Sequence, residues 1–256
     1  MKIVLIGAGN VGYHLGKKLH EVGEDIIQVF SRKKNKASRL AKLVGATPTN
    51  QLNRIDTAAD LYILAVHDDA IQSAAESIAE VLNGNQLAVH TSGATPLTIF
   101  EKTGLNRYGI FYPLQTFSVS TAPIFSEIPL CIDANLEKDI HLLMELGAKI
   151  SDDVRYIDDE QRAMIHVAAV FVNNFTNHFF SIADNLLSHK NISLDILKPL
   201  IRETVNKINS NPPGEMQTGP AIRGDKKTMK RHLTLLKKHP DYHQIYKLVS
   251  ESIQNK

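Results

Sequence analysis

Several clusters of residues in this chain have types and spacings that could do chemistry. The first is Gly7-Ala8-Gly9-Asn10-Val11-Gly12, a G-x-G-x-x-G pattern directly behind the apolar run Lys2–Ile6. In such a turn Gly7 permits the tight bend, Gly9 lets a pyrophosphate reach the backbone, and Gly12 lets the helix pack closely on the strand. The helix that opens here adds free N–H groups and the positive end of its dipole. The spacing predicts a dinucleotide turn formed by Gly7, Gly9, Asn10, Val11 and Gly12. The alternatives are a glycine-rich strand–helix turn without a ligand and a methyltransferase-type nucleotide loop. The second cluster is Ser31-Arg32-Lys33-Lys34, which ends the second apolar run. An NAD site places Asp or Glu there, about 20 residues past the glycines, to bond the ribose 2′-hydroxyl. A hydroxyl followed by cations suits a 2′-phosphate instead, so NADP is expected; a solvated basic loop is the alternative. Asp25 sits at the wrong end of that run to substitute.

Two further strand ends face the same crevice, because ligands of open α/β sheets bind beyond the carboxyl ends of the strands. Ala65, Val66 and His67 are expected to border the cofactor, with Asp68 or Asp69 capping the next helix. In Thr91-Ser92-Gly93 the Ser92 hydroxyl either contacts nicotinamide or substrate, or caps the turn.

The second half offers a possible catalytic wall. In the apolar stretch 164–187, His166, Asn173, Asn177 and Asp184 stand out, and α-helical geometry of about 100° per residue puts all four within roughly 20° of one line. Such a stripe is buried and hydrogen-bonded, solvent-facing, or lining a cleft. In a cleft, His166 would supply the proton that accompanies hydride addition to a carbonyl or imine, and Asn173 would orient the substrate. Farther on, Gln217-Thr218-Gly219-Pro220-Ala221-Ile222-Arg223-Gly224-Asp225 is a punctuated loop ahead of a helix. Arg223 either clamps an anion of the substrate in the cleft that holds His166, or pairs locally with Asp225.

The elements that must position these residues follow from the pattern. Short apolar runs at 2–6, 25–30, 61–66, 87–90, 107–111, 130–133 and 148–150 alternate with helical stretches at 11–21, 37–43, 70–82 and 136–146. This is the mark of a doubly wound, mainly parallel sheet. After Asp152-Asp153 only helical runs follow, at 158–188, 193–209 and 226–237. The reading is α/β, a Rossmann-type domain over 1–154 followed by an all-helical domain over 155–256.

Composition narrows the function classes. The 256 residues are 43% hydrophobic and 22% charged, with 29 basic against 27 acidic side chains, so neither nucleic acid nor a membrane is expected as a main partner. Cys131 is the single cysteine, which excludes a disulfide framework and a thiolate-rich zinc site; the scattered histidines give no metal set. No apolar run approaches a membrane span of about 18 residues. A cytoplasmic protein is expected.

The chain resembles the 6-phosphogluconate dehydrogenase-like group of NADP oxidoreductases, which includes pyrroline-5-carboxylate reductase, prephenate dehydrogenase and the deazaflavin-dependent NADP oxidoreductases. Within it, the chain is similar to a bacterial family that pairs a Rossmann-like domain with a helical C-terminal domain of unknown function. The residues that carry this are Gly7 to Gly12, Leu64 to Asp69, Thr91-Ser92-Gly93, Tyr112-Pro113-Leu114-Gln115-Thr116-Phe117, His166 to Phe171 with Asn173, and Gln217 to Asp225. The resemblance implies a nicotinamide-type fold, reductase chemistry and a homodimer formed through the helical domain, and supplies no substrate. Taken with the residues above, the expected activity is NADP-dependent reduction of a small, anionic carbonyl or imine compound. A non-catalytic NADP(H) sensor or scaffold is the alternative. Related sequences carry His before the proline that follows strand 107–111; here Tyr112 stands there, so no acid–base role is read from that position.

Overall fold

The computed structural model describes residues 1–118 and 120–255. Contacts divide the chain into two compact units, Met1–Asn173 and Asn174–Lys256.

The first unit is built on one eight-stranded sheet of order β3-β2-β1-β4-β5-β6-β7-β8. The strands are β1 (Lys2–Ile6), β2 (Asp25–Phe30), β3 (Thr47–Thr49), β4 (Leu61–Leu64), β5 (Leu87–His90), β6 (Arg107–Pro113), β7 (Leu130–Ala134) and β8 (Val154–Tyr156). All neighbours pair in parallel except β6 with β7. Helices α1 (Asn10–Glu21), α2 (Lys34–Val44), α3 (Ile71–Ala79) and α4 (Glu137–Ala148) connect them. The chain runs outward from β1 to β2 and β3, then returns to place β4 on the other side of β1. That reversal makes the carboxyl ends of β1 and β4 the switch point where such sheets bind ligands.

β1 is apolar at every position from Ile3 to Ile6 because both of its faces are covered. Ile3 and Leu5 pack with Leu15, Leu19 and Leu40 on one face. Val4 and Ile6 pack with Tyr62, Leu64 and Ile78 on the other. The expected strand at 148–150 is not one: Ala148 ends α4 and Ile150 turns back on Gly147, while the edge strand lies at Val154–Tyr156 beside β7. Two apolar residues around Lys149 at a helix end carry no period, which is why the run misled.

α5 (Asp159–Ala169) begins with a capping box, Asp158 accepting from Gln161 N while the Gln161 side chain accepts from Asp158 N. Over Val170–Phe175 the helical bonding widens to a π turn. The uniform 100° step behind the four-residue stripe therefore fails between His166 and Asn177, because a π turn adds residues per turn. The second unit continues with α6 (Thr176–Ser188), α7 (Lys198–Ile208), α8 (Lys226–Leu235) and α9 (Pro240–Gln254). α9 was not expected from the sequence, although Pro240 stands at its first position, the usual site for a helix-opening proline. Neither α6 nor α7 contains a fully buried residue. A largely apolar cavity of about 390 Å³ lies between Phe179 and Ile182 of α6 and Tyr242, Ile245 and Tyr246 of α9.

Candidate active site

The carboxyl edge of the sheet opens into a cleft of about 880 Å³ in the first unit, within the volume range of small-molecule and cofactor pockets. Gly7, Gly9, Asn10, Val11, Ser31, Arg32, Lys33, Ala65, Val66, His67, Ser92 and His166 all line it. Gly7 has φ +118°, and a Cβ there would sit 2.1 Å from Ala65 O. Gly12 stands behind the wall, where a Cβ would fall 2.0 Å from Gly7 O. Gly9 differs in kind: a Cβ there meets nothing within 4 Å. Gly7 and Gly12 are demanded by the protein's own packing, whereas the space above Gly9 is free for something that approaches the backbone. That is the fit a pyrophosphate requires, with α1 opening at Asn10 to present its N–H groups. The Asn10 side chain is already engaged, its Nδ2 donating to Phe117 O at 2.8 Å.

The basic cluster lines the cleft where β2 passes into α2. Lys33 is the N-cap of α2, Lys34 and Lys36 follow in its first turn, and that turn has no acidic residue. Cations at the positive end of a helix dipole are unfavourable by themselves, and a bound anion reverses the sign. Lys36 also lines the cleft, with Arg32 and Lys33. It was missed in the sequence, though its place in the first turn of α2 was the signal.

Ser92 caps the turn that follows β5. It lines the cleft, and its Oγ accepts from Ala94 N at 3.1 Å and Thr95 N at 3.0 Å. His90, at the end of β5, is buried and stacked on Phe100 at 5.5 Å. Its Nδ1 accepts from Ser92 N at 3.2 Å. Burial, with the Arg162 guanidinium adding to it, pushes the His90 imidazole down to about 3, so this histidine stays neutral.

His166, on α5, is half-buried and meets Tyr112 at the end of β6, with the Tyr112 hydroxyl 3.4 Å from His166 Nδ1. α5 is fastened to the segment that follows β5 one turn earlier. Arg162 is 1% exposed, and its Nη2 donates to Thr95 O at 2.8 Å and to the Asp159 carboxylate. Asp159 also accepts from Leu97 N at 2.8 Å. These bonds fix His166 over the carboxyl ends of β5 and β6. Tyr112, Gly93 and Gln115 also line the cleft. The sequence signal for Tyr112 was its place at a strand end on the ligand side of the sheet.

Of the other two expected catalytic residues, Asn173 belongs to the first unit and Arg223 to the second. Asn173 is exposed on the π turn at the end of the first unit and does not line this cleft. Arg223 is exposed in the second unit, ahead of α8. Among the described residues Arg223 and Asp225 form no ion pair; Asp225 instead caps α8, accepting from Thr228 N at 3.0 Å.

Comparison with known proteins agrees with this geometry. Residues 2–92 match the family model described as NADP oxidoreductase coenzyme F420-dependent. Residues 128–253 match the domain of unknown function DUF2520. A Bacteroides fragilis protein, provisionally named an NADP oxidoreductase, is 40% identical over 100% of this chain and 98% of its own, with a TM-score of 0.94. An imine reductase from Myxococcus stipitatus, solved with NADP+, shares the fold at 14% identity and TM-score 0.67, over 100% of this chain and 92% of its own. A pyrroline-5-carboxylate reductase from Coxiella burnetii does so at 16% identity and TM-score 0.62, over 99% and 96%. No match was found among curated protein sequences.

Proposed function

From the premise that the chain belongs to the family joining an NADP oxidoreductase domain to the DUF2520 domain, we propose that it is an NADPH-dependent reductase of a small, anionic carbonyl or imine compound. The observation that carries the reading is one cleft lined both by the glycine turn and basic cluster and by His166. Gly9 and the α1 N-terminus bind the pyrophosphate, and Ser31, Arg32 and Lys33 with Lys36 bind the 2′-phosphate. Ala65, Val66 and His67 shape the wall between them. The nicotinamide, when bound, supplies a hydride. His166 supplies the proton that neutralises charge building on the substrate oxygen or nitrogen, and an imidazole suits a proton transfer near neutral pH. Arg223 is the residue proposed to hold the anionic group, and Asn173 to orient the substrate.

We also propose a homodimer. The whole chain leaves Phe175, Phe179, Ile196, Leu200, Val205 and Ile208 exposed, an apolar density that marks an interface rather than a solvated surface. No helix among the described residues is long and apolar enough to cross a membrane, and a cytoplasmic setting is proposed with this function.

The test begins with NADPH and NADH titrations. NADPH oxidation is then followed against a panel of 2-oxo acids and cyclic imines, with His166→Ala beside the unmodified protein. The expected result is preferential NADPH binding and turnover that falls about a hundredfold or more in His166→Ala with NADPH affinity unchanged. Tight NADPH binding with no turnover on any member of the panel favours the sensor reading.

A further inference from the structure

The pairing of Tyr112 with His166 has consequences beyond their sharing a cleft. We infer that the Tyr112 hydroxyl is a positioning group that donates to His166 Nδ1, holds the imidazole proton on Nε2, and resupplies that proton as it is used. This rests on the reductase reading above and assigns the source of its proton.

Three observations carry it. The hydroxyl lies 3.4 Å from Nδ1 and the two rings meet edge-on at 61°, with centroids 6.3 Å apart. Catalytic hydrogen bonds are often this long before ligands bind. The backbone at Gly93 is shaped to the pair: a Cβ there would fall 2.6 Å from His166 Nδ1 and 2.7 Å from the Tyr112 oxygen. The pair therefore occupies the space a side chain would need, and only glycine admits it. Finally, both partners are held from behind, Tyr112 by its place in β6 and His166 by the Arg162–Asp159 fastening one turn earlier in α5.

The groups around the Tyr112 hydroxyl set its state. Besides His166 these are Cys131 on β7, Arg162 on α5 and Asp68 beyond β4. Burial first, then Cys131 and Asp68, push the phenol up to about 12 against the opposing Arg162 charge. The hydroxyl thus keeps its proton throughout the working range and serves as a donor. A phenolate formed during turnover lies in the field of Arg162, a buried cation.

The proton step balances. With the hydride coming from reduced nicotinamide, the His166 Nε2–H bond breaks and an O–H or N–H bond forms on the substrate. The Tyr112 O–H bond breaks and an Nδ1–H bond forms. The imidazole gives up one proton and takes one, so its charge is unchanged, and the negative charge ends on the Tyr112 oxygen. An alkoxide is a far stronger base than even this phenol's conjugate, so the transfer runs downhill. Water then reprotonates Tyr112 and the imidazole tautomer resets.

The test reads nitrogen, not turnover. Protein labelled with ¹⁵N-histidine is examined by long-range ¹H–¹⁵N spectra with NADPH present, the His166 signals being those missing in His166→Gln. The expected result is Nε2 protonated and Nδ1 bare, with the Nδ1 signal displaced by the bond it accepts. In Tyr112→Phe that displacement is lost while NADPH affinity stays within about twofold. Gly93→Ala, which keeps the hydroxyl but crowds the pair, moves the same signal. A proton on Nδ1 in the unmodified protein, or an Nδ1 signal identical in Tyr112→Phe, overturns the inference and leaves the reductase reading standing. Absence of NADPH binding to the unmodified protein defeats that reading instead, while the same spectra without NADPH still decide the Tyr112–His166 bond.

Discussion

The two units bury their apolar residues very differently. In the first, every residue of β4 and β5 is buried and two apolar clusters cover both faces of the sheet. In the second, Ala221 and Leu236 are the buried apolar residues among those described, while Leu200 is 63% and Ile196 68% exposed. The first unit completes its core from its own chain. The second has amphipathic helices of ordinary composition whose apolar faces a single chain leaves in water. Since burial of apolar surface supplies most of the driving force for folding, helices like these are stable only when something else covers them. A second copy of the same chain is the occupant proposed here, and its interface would be of the large, apolar, obligate kind.

The largest effect should come from attacking that face. Ile196→Glu with Leu200→Glu is expected to turn a dimer into a monomer in light-scattering and sedimentation measurements. The unfolding of the unmodified protein should in turn depend on its concentration, as mass action requires of an obligate dimer. The same double change on a protein that is already monomeric would alter neither quantity, and that outcome removes the contrast between the units.

The next effect separates two glycines of one turn. Gly9→Val should cost NADPH affinity a hundredfold or more while leaving the melting temperature nearly unchanged, because a side chain there meets only open space. Gly7→Ala should do the reverse in kind: with φ +118° and Ala65 O in the way, it should destabilise the first unit by about 2 kcal/mol or more. Calorimetry and cofactor titration on both variants check this. Equal melting losses in the two would mean the turn is structural throughout.

Smaller again is the choice of cofactor. Arg32→Ala with Lys33→Ala should weaken NADPH tenfold to a hundredfold and leave NADH nearly untouched, since a lost charge-assisted phosphate contact costs about 1.5–3 kcal/mol. Equal affinity for the two cofactors in the unmodified protein would break the assignment.

The contrast between the units also explains what could be read from the sequence. Strands buried on both faces leave unbroken apolar runs, so β1 and β4 were visible, and with them the glycine turn and the ends of Val66 and Ser92. Their local patterns and global roles agree. β3 was not visible, because Thr47-Pro48-Thr49 is a short polar edge. The π turn was not visible either, since Val170–Phe175 has nothing in its composition that distinguishes π from α bonding. The π turn interrupts the uniform step on which the line through His166, Asn173, Asn177 and Asp184 was drawn. Tyr112 was passed over because its value comes from a neighbour on α5, 54 positions away in the chain, and pair contacts across such separations have no local signature. The helical unit was legible as helices but not as an incomplete core, because periodicity shows that a helix has an apolar face and not what covers it.

The smallest expected effect concerns Arg223, and it tests whether an exposed residue of the coreless unit serves substrate rather than fold. Two readings compete, a substrate clamp and a local partner for Asp225. The Asp225 carboxylate is held below its usual range first by the Thr228 backbone and hydroxyl, with Arg223 a lesser contributor. Its oxygen is committed to capping α8. Arg223→Ala should therefore leave the melting temperature within a degree or so, as exposed substitutions without structural partners do. Asp225→Ala, which removes the cap, should lower it measurably. In the reductase assay Arg223→Ala should raise KM about tenfold with kcat little changed, the signature of an interaction common to ground and transition states. A melting loss equal to that of Asp225→Ala, with KM unmoved, would return Arg223 to the loop and leave the substrate's anionic group to be held by other residues.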